Sequence, residues 1–346
     1  MVRPDEPAAF REGLRAHLAA WAGPDDRRGA REVGLTVLVY VAALTSSSLG
    51  LERLGGAASP AAKVGWGLAT APALVLLALT QVRAFLVHHD LCHQSLFRAR
   101  RLNLVLAPLL GTLASTSSFV WRREHDRHHR DSNNLDRSQD GQTGAWTVEQ
   151  YLHAKPHHRA LYWFINQRPV LFGLVPPLYF LGFMRAAARW YENVLFLAFV
   201  AALYLTGTLP AFLVALGPAT LFGFLLFHAQ HTGPALVRHR TAEYDFVENG
   251  LRGSTLLVTP RVPLLSRVLD WCLYGVEFHH VHHLHLGIPA WRQRACHEAG
   301  AVFFDGVPRI TLGGALEATR LTLYDEASGR LVGFTEAHLN PRLRAT

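Results

Sequence analysis

Lysine is almost missing from this chain. Lys63 and Lys155 are the only two in 346 residues, so the formal net charge of +8 rests on arginine. Charge of either sign is sparse, at 17% against 50% apolar residues, which is low for a soluble domain of this size. A nucleic-acid binder would cluster its arginines with stacking aromatics on a solvated face. Here they flank apolar runs instead, an arrangement that suits anionic lipid headgroups, and no nucleic-acid partner is expected. Cysteine is scarce too. Cys92, Cys272 and Cys296 form neither a CxxC nor an even set, which argues against a disulfide framework and for a reducing compartment. There is no internal repeat and no low-complexity tail. The segment before Val33 is charged and contains proline, without the short apolar core of a signal peptide, so none is expected.

Long apolar runs are abundant. A bilayer span needs ~20 predominantly apolar residues. Val33–Leu51 and Val64–Val87 meet that length, while Val194–Leu209 and Ala211–Phe227 are shorter and would abut at a tight turn near Pro210. Two further stretches, Leu102–Val120 and Val170–Phe183, contain Pro or Gly between flanking arginines and read as re-entrant or interfacial. Arg98, Arg100, Arg101, Arg122, Arg123, Arg127 and Arg130 crowd the region after the second span, whereas the turn near Pro210 carries no charge. The bias of Lys and Arg toward the cytosolic side then puts both termini and every histidine-rich segment in the cytosol. The expected fold is all-α: an integral cytoplasmic-membrane protein with about four transmembrane helices and a cytosolic helical cap. The expected division is a cytosolic segment over 1–32, a membrane domain over 33–300 and a cytosolic tail over 301–346.

Histidine is what the chain has in excess, at 20 residues. His89 and His93 in "HDLCH" are spaced i, i+4. His125, His128 and His129 in "HDRHH" are spaced i, i+3, i+4, and His279, His282 and His283 in "HHVHH" repeat that spacing. On a helix each set projects from one face. A lone buried histidine is usually a hydrogen-bonded core residue, but two HxxHH triplets and an HxxxH would each have to arise independently. His231, in "AQH", stands just past the fourth apolar run. Nine imidazoles exceed any single site and suit two metals with four or five each; spacing alone leaves iron, copper and zinc open. "HDLCH" lacks the glutamate base of a metalloprotease HExxH.

With these boxes in view the sequence resembles the membrane fatty acid desaturase superfamily, whose signature is HxxxH, HxxHH and HxxHH. It is similar in particular to bacterial and cyanobacterial acyl-lipid desaturases of the delta-12/omega-6 and delta-5 type. "WRREHDRHH" with "NLDR", "FGLVPPLYFL", "GLRGS" and "FHHVHHLHLGIPAWRQRACHE" carry the likeness, which runs over roughly residues 80–300. The resemblance implies two irons ligated by His89, His93, His125, His128, His129, His231, His279, His282 and His283, with His88, His228, His280 and His285 outside the ligand set. Asp90 and Asp136 are expected as acceptors for ligand N–H groups. Three departures stand out. "TGP" replaces Gln-Phe-Glu after His231, Gly275 and Glu277 replace an Asn and Gly pattern, and two extra residues lie between "NLDR" and "GAW".

The resemblance further implies a cis double bond inserted into a long acyl chain, with O2 as oxidant and water as product. The substrate would be a fatty acyl lipid or an acyl thioester. No HPGG segment, flavin motif or CxxC cluster is fused here, so electrons must come from a separate ferredoxin or cytochrome b5-like donor docking on the arginine-rich face. A hydroxylase or ketolase of the same superfamily is the nearest rival. A metal-transporting membrane protein would want its ionisable ligands inside the spans, whereas these sit at span ends.

Overall fold

The computed structural model describes residues 8–137, 144–260 and 262–339. A short amphipathic helix, α1 (Ala8–Trp21), leads into the antiparallel pair α2 (Asp26–Gly55) and α3 (Pro60–His93). Each of the pair starts on a side-chain cap. Asp25 accepts from the Arg28 N–H and Ser59 from the Ala62 N–H, satisfying donors that a helix leaves open at its start. Pro60 in the first turn of α3 costs no hydrogen bond. At 34 residues α3 is roughly 50 Å long, well beyond the ~30 Å apolar core of a bilayer. His89 and His93 lie in its last turns. Gln94, at φ 60°, ends the helix directly after His93.

The apolar stretch expected as re-entrant is broken into α4 (Arg100–Leu113) and α5 (Ser118–Asp131), which meet at 99°. The break falls at "ASTS", with Ser115 at φ 57°. There Ser117 caps α5 by accepting the Val120 N–H. By length and composition four helices can cross a membrane: α2, α3, Pro169–Ala186 and Leu209–His231. The bent α4–α5 pair would make a fifth.

The number matches the sequence expectation. Val170–Phe183, expected as re-entrant or interfacial, lies inside an 18-residue helix that is long and apolar enough to span by length and composition, and both its halves meet the histidine side, Phe172 at 5.4 Å from His228 and Phe180 at 6.4 Å from Phe85. Pro176 and Pro177 lack N–H donors, and wide π turns on either side absorb the missing bonds. The expected third span is the 16-residue helix Trp190–Leu205. The tight turn comes at Thr206–Thr208, where Gly207 takes φ 70°.

Short strands tie the cap together. β1 (Trp146–Thr147) pairs in parallel with β4 (Leu323–Asp325), which pairs antiparallel with β5 (Arg330–Val332). Between them in sequence, β2 (Leu256–Val258) runs parallel to β3 (Arg309–Thr311). Residues expected as a tail are thus folded against the body through 339. Phe304 and Val307 are buried with Leu14 and Leu18 of α1. The two extra residues after "NLDR" fall within 138–143, outside the described residues.

Candidate metal centre

All nine box and "AQH" histidines meet above the head of one seam, between the C-terminal ends of α3 and Leu209–His231. His89 and His93 come from α3 and His231 from the last residue of Leu209–His231. His125, His128 and His129 come from α5, and His279, His282 and His283 from the short helix His279–Leu284. They divide into two groups. His89, His93, His125, His129 and His282 form a set of five; His128, His231, His279 and His283 form a set of four. Each HxxHH box feeds both groups, because neighbours on a helix point ~100° apart. The i, i+4 pair stays together and the intervening histidine crosses over. His128 leaves its box for the set of four, and His282 leaves its own for the set of five.

Ring nitrogens converge closely. Nε2 of His125 lies 2.8 Å from that of His89 and 2.9 Å from that of His129, which lies 2.9 Å from that of His282. In the other group Nε2 of His279 is 2.8 Å from that of His231 and 3.0 Å from that of His283, and the third side is 3.3 Å. An imidazole Nε2 offers one proton or one lone pair, never both. His125 and His129 each face two such neighbours, so protons cannot satisfy the set, whereas a cation at the common centre can. Metal–imidazole bonds of about 2.0–2.1 Å set at right angles place donors about 3.0 Å apart, against about 3.4 Å for a tetrahedron. Five of the observed spacings, 2.8–3.0 Å, lie near the first value and the sixth, 3.3 Å between His231 and His283, near the second. The residues therefore fit a pair of metal ions, and five donors in one group exceed a tetrahedral site.

Burial keeps the donors neutral. His283 is pushed down to about 3 by desolvation, and His279 and His282 are held well below the ordinary histidine value, first by burial and then by neighbouring imidazoles. A neutral imidazole is the form that binds a metal.

The surroundings orient these rings. One oxygen of Asp90 lies 3.4 Å from His89 Nδ1, and the other accepts the Ala290 N–H at 2.9 Å. Asp136 does not take the role expected of it. Its half-exposed carboxylate accepts from Arg240 Nη1 at 2.8 Å and the Thr241 N–H at 2.7 Å, which holds its pKa down and pins a loop. The four histidines expected outside the ligand set lie in neither group and have partners elsewhere: His88 with Ser118 Oγ, His228 with the Ala318 carbonyl, His280 with His297 Nδ1, and His285 with the Gly287 N–H.

Three contributions were not singled out from sequence. Trp121 stacks on His125 at 4.7 Å and 22°; its signal is the i, i+4 spacing in "WRREH". Glu192 binds the start of α5, and Arg83 pairs with Glu32 inside the core. Each shows as a lone charge in or at the head of an apolar run, which by default marks a site.

The departures from the family pattern have local reasons. Gly275 sits at φ +90°, and a Cβ there would come 2.2 Å from the Ala290 carbonyl oxygen. Glu277 reaches Arg294 at 2.9 Å. Both changes thus face one element, the helix Ala290–Ala299. Thr232 lines a small cavity of about 60 Å³ with His228 and Arg238, behind Phe227.

A small cavity of about 30 Å³ lies beside the histidines, walled by Leu86, Trp121, Phe227 and Tyr274. Below it the seam between α3 and Leu209–His231 holds two more. One of about 40 Å³ is lined by Val82, Phe85 and Leu216; one of about 220 Å³ by Leu74, Val75, Ala78 and Phe222. Phe85 meets Trp121 edge-on at 4.7 Å between the first two.

Comparison with known proteins agrees with this arrangement. The sequence model of the family described as "Fatty acid desaturase" matches residues 65–307, which include every histidine of both groups. A Bacillus subtilis (strain 168) protein named "Fatty acid desaturase" is 30% identical over 281 residues, covering 75% of this chain and 78% of its own length. A family match across most of the chain, with its histidine boxes closed around two metal-sized centres at the head of a membrane helix pair, makes this chain a member of the fatty acid desaturase family.

Proposed function

We propose that this protein inserts a cis double bond into a long fatty acyl chain, at two irons held by the five- and four-histidine groups. The observation that carries the reading is the position of both groups at the top of an apolar seam. From Asp90 to Leu74 the seam runs about 24 Å along α3, more than the ~15 Å half-thickness of a bilayer's apolar core. A chain lying in it would pass Trp121 and Leu86 directly below His89 and His125.

Bound there, the iron pair would supply the power to oxidise an unactivated C–H bond with O2, chemistry that belongs to the cofactor. The protein's own residues hold and exclude. Asp90 fixes the His89 ring, and the stacked Trp121 fixes that of His125. Leu86, Phe227 and Tyr274 keep bulk water from the reacting carbons. A 1 Å misplacement of those carbons costs about a hundredfold in rate, which is why so many apolar contacts meet at this point. Arg123, Arg127 and Arg130 are half-exposed or more on the helix that carries the second box, a surface suited to an acidic electron carrier such as a ferredoxin or a cytochrome b5-like protein. The bias of arginine toward the histidine side supports a multi-pass topology with the centre facing the cytosol. Cysteines introduced near His153 should label only from inside, and those near Gly55 and Gly207 only from outside.

The deciding test feeds deuterated saturated fatty acid to cells making the protein under labelled O2. A lipid chain lacking two deuteriums and carrying no labelled oxygen is expected. A labelled hydroxyl or keto group would instead make the protein a hydroxylase or ketolase, and no change in the lipids would sink both readings.

A further inference from the structure

A second, polar cavity of about 220 Å³ opens beside the histidine-lined one and shares Tyr274 and Ala290 with it. It lies where the first turns of α2 face the helix Pro263–Leu273 and the helix Ala290–Ala299. Its walls carry four arginines and three carboxylates, together with Trp271 and Trp291.

Most of these charges neutralise one another. Glu32 takes Arg28 at 2.6 Å and the fully buried Arg83; Arg294 takes Asp270 at 3.0 Å and Glu277 at 2.9 Å. Two groups are left over. Arg31 makes no ion pair among the described residues, and Glu277, only 3% exposed, has Oε2 without a hydrogen-bond partner. One wall thus offers a guanidinium, whose planar fork matches a phosphate. The other offers a carboxylate oxygen, beside Asp270, that can accept from an N–H donor.

We propose that this cavity binds the zwitterionic headgroup of an aminophospholipid, with its phosphate at Arg31 and its primary ammonium at Glu277 and Asp270. The proposal rests on the desaturase reading and names the carrier of the acyl chain. Through Tyr274 and Ala290 the headgroup would hold its chain toward the histidines. A purely anionic carrier, such as a CoA thioester or phosphatidylglycerol, has no ammonium to place at the free Glu277 oxygen beside Asp270. A quaternary ammonium has no N–H to give Glu277, and aromatic faces are what recognise such a group. Trp271 already carries the Arg83 guanidinium at 4.0 Å.

The test uses the full chain purified in detergent and the tryptophan fluorescence of Trp271 and Trp291. Titration with dihexanoyl phosphatidylethanolamine should give binding about tenfold tighter than with the matching phosphatidylglycerol or phosphatidylcholine. R31Q should lose about tenfold of that affinity, while R27Q, on the same exposed turn but outside the cavity, should keep it. Equal binding of the three lipids, tighter binding of coenzyme A, or no difference between R31Q and R27Q would overturn the proposal. Double-bond formation is read separately from total fatty acids. If it persists while headgroup preference fails, only this inference falls. If headgroup preference holds and no double bond forms, the desaturase reading is the one at fault.

Discussion

Glu192 Oε1 accepts the backbone N–H of Ser118 at 2.8 Å, across 74 residues of sequence. The same oxygen takes the Phe119 N–H at 3.2 Å, and Oε2 takes the Ser117 hydroxyl at 2.5 Å. A buried carboxylate thus caps the helix carrying His125, His128 and His129, meeting both its open N–H donors and its positive dipole end.

Glu192→Ala should therefore loosen the second box without touching a ligand. Three hydrogen bonds to one charged group are lost, each worth about 1.5–3 kcal/mol when the acceptor is ionised. The expected outcome is a clear drop in melting temperature together with partial loss of bound metal. Glu192→Gln, which keeps an acceptor but not the charge, should fall between. A Glu192→Ala protein with unchanged melting temperature and metal content would show that the cap is dispensable.

The two histidine groups predict a contrast between neighbours in the boxes. His129→Ala removes a donor whose Nε2 meets those of His125 and His282 at 2.9 Å each, and should abolish activity and strip metal from the set of five. His285→Ala removes a ring that accepts the Gly287 N–H and belongs to neither histidine group, and should keep most of both. Metal analysis by plasma mass spectrometry decides it. One zinc per chain, no iron and full activity in the unaltered protein would refute the diiron assignment itself.

Much of this centre was legible in the sequence because a helix turns spacing into direction. His89 and His93, or His125 and His129, could only share a face. The exchange of His128 and His282 between groups was not legible. It depends on α5 and His279–Leu284 facing each other across the centre, which no local spacing states. The continuity of the helix through Val170–Phe183 was not legible either, since Pro176 and Pro177 remove two backbone donors. Wide turns repair what the composition alone reads as a break. Gly275 reads from sequence only as a departure, because the carbonyl of Ala290 that excludes a Cβ there comes from fifteen residues on.

Acid should empty the site. His283 titrates near 3 in the folded chain, and His279 and His282 are depressed as well, all chiefly by burial. In the unfolded chain the same rings titrate near 6.5. Below about 6.5 the unfolded state binds protons that the folded state refuses, so their contribution to stability is present above 6.5 and is lost as pH falls toward 3. Glu277 has the opposite sign. Burial raises it to about 7, so its contribution is present below its unfolded value of about 4.5 and fades as pH rises to 7. One carboxylate is outnumbered by the histidines, which a metal also needs neutral. Metal content and melting temperature should both fall between pH 6.5 and 5. A metal-loaded protein unchanged at pH 5 would contradict the buried, imidazole-only centre.

The buried pair of Arg83 and Glu32 makes an asymmetric prediction. Arg83 is fully buried. It donates to Thr36 Oγ1 at 3.0 Å, to the Trp271 carbonyl and to Glu32, with its guanidinium 4.0 Å above the Trp271 ring and 4.6 Å above that of Tyr274. Glu32 has a second cation, the half-exposed Arg28 at 2.6 Å. Removing Glu32 therefore strands a charge in the core, whereas removing Arg83 leaves Glu32 still paired. Stranding a buried charge costs about 3–5 kcal/mol, while replacing both partners by apolar groups is often nearly neutral. Glu32→Ala should thus destabilise more than Arg83→Met, and the double variant should recover part of the Glu32→Ala loss. Urea or thermal unfolding of the four proteins in one detergent measures this cycle. If Arg83→Met proves the costlier single change, or the double variant is worse than Glu32→Ala alone, then packing of the arginine stem against Trp271 and Tyr274, not charge, holds this corner of the fold together.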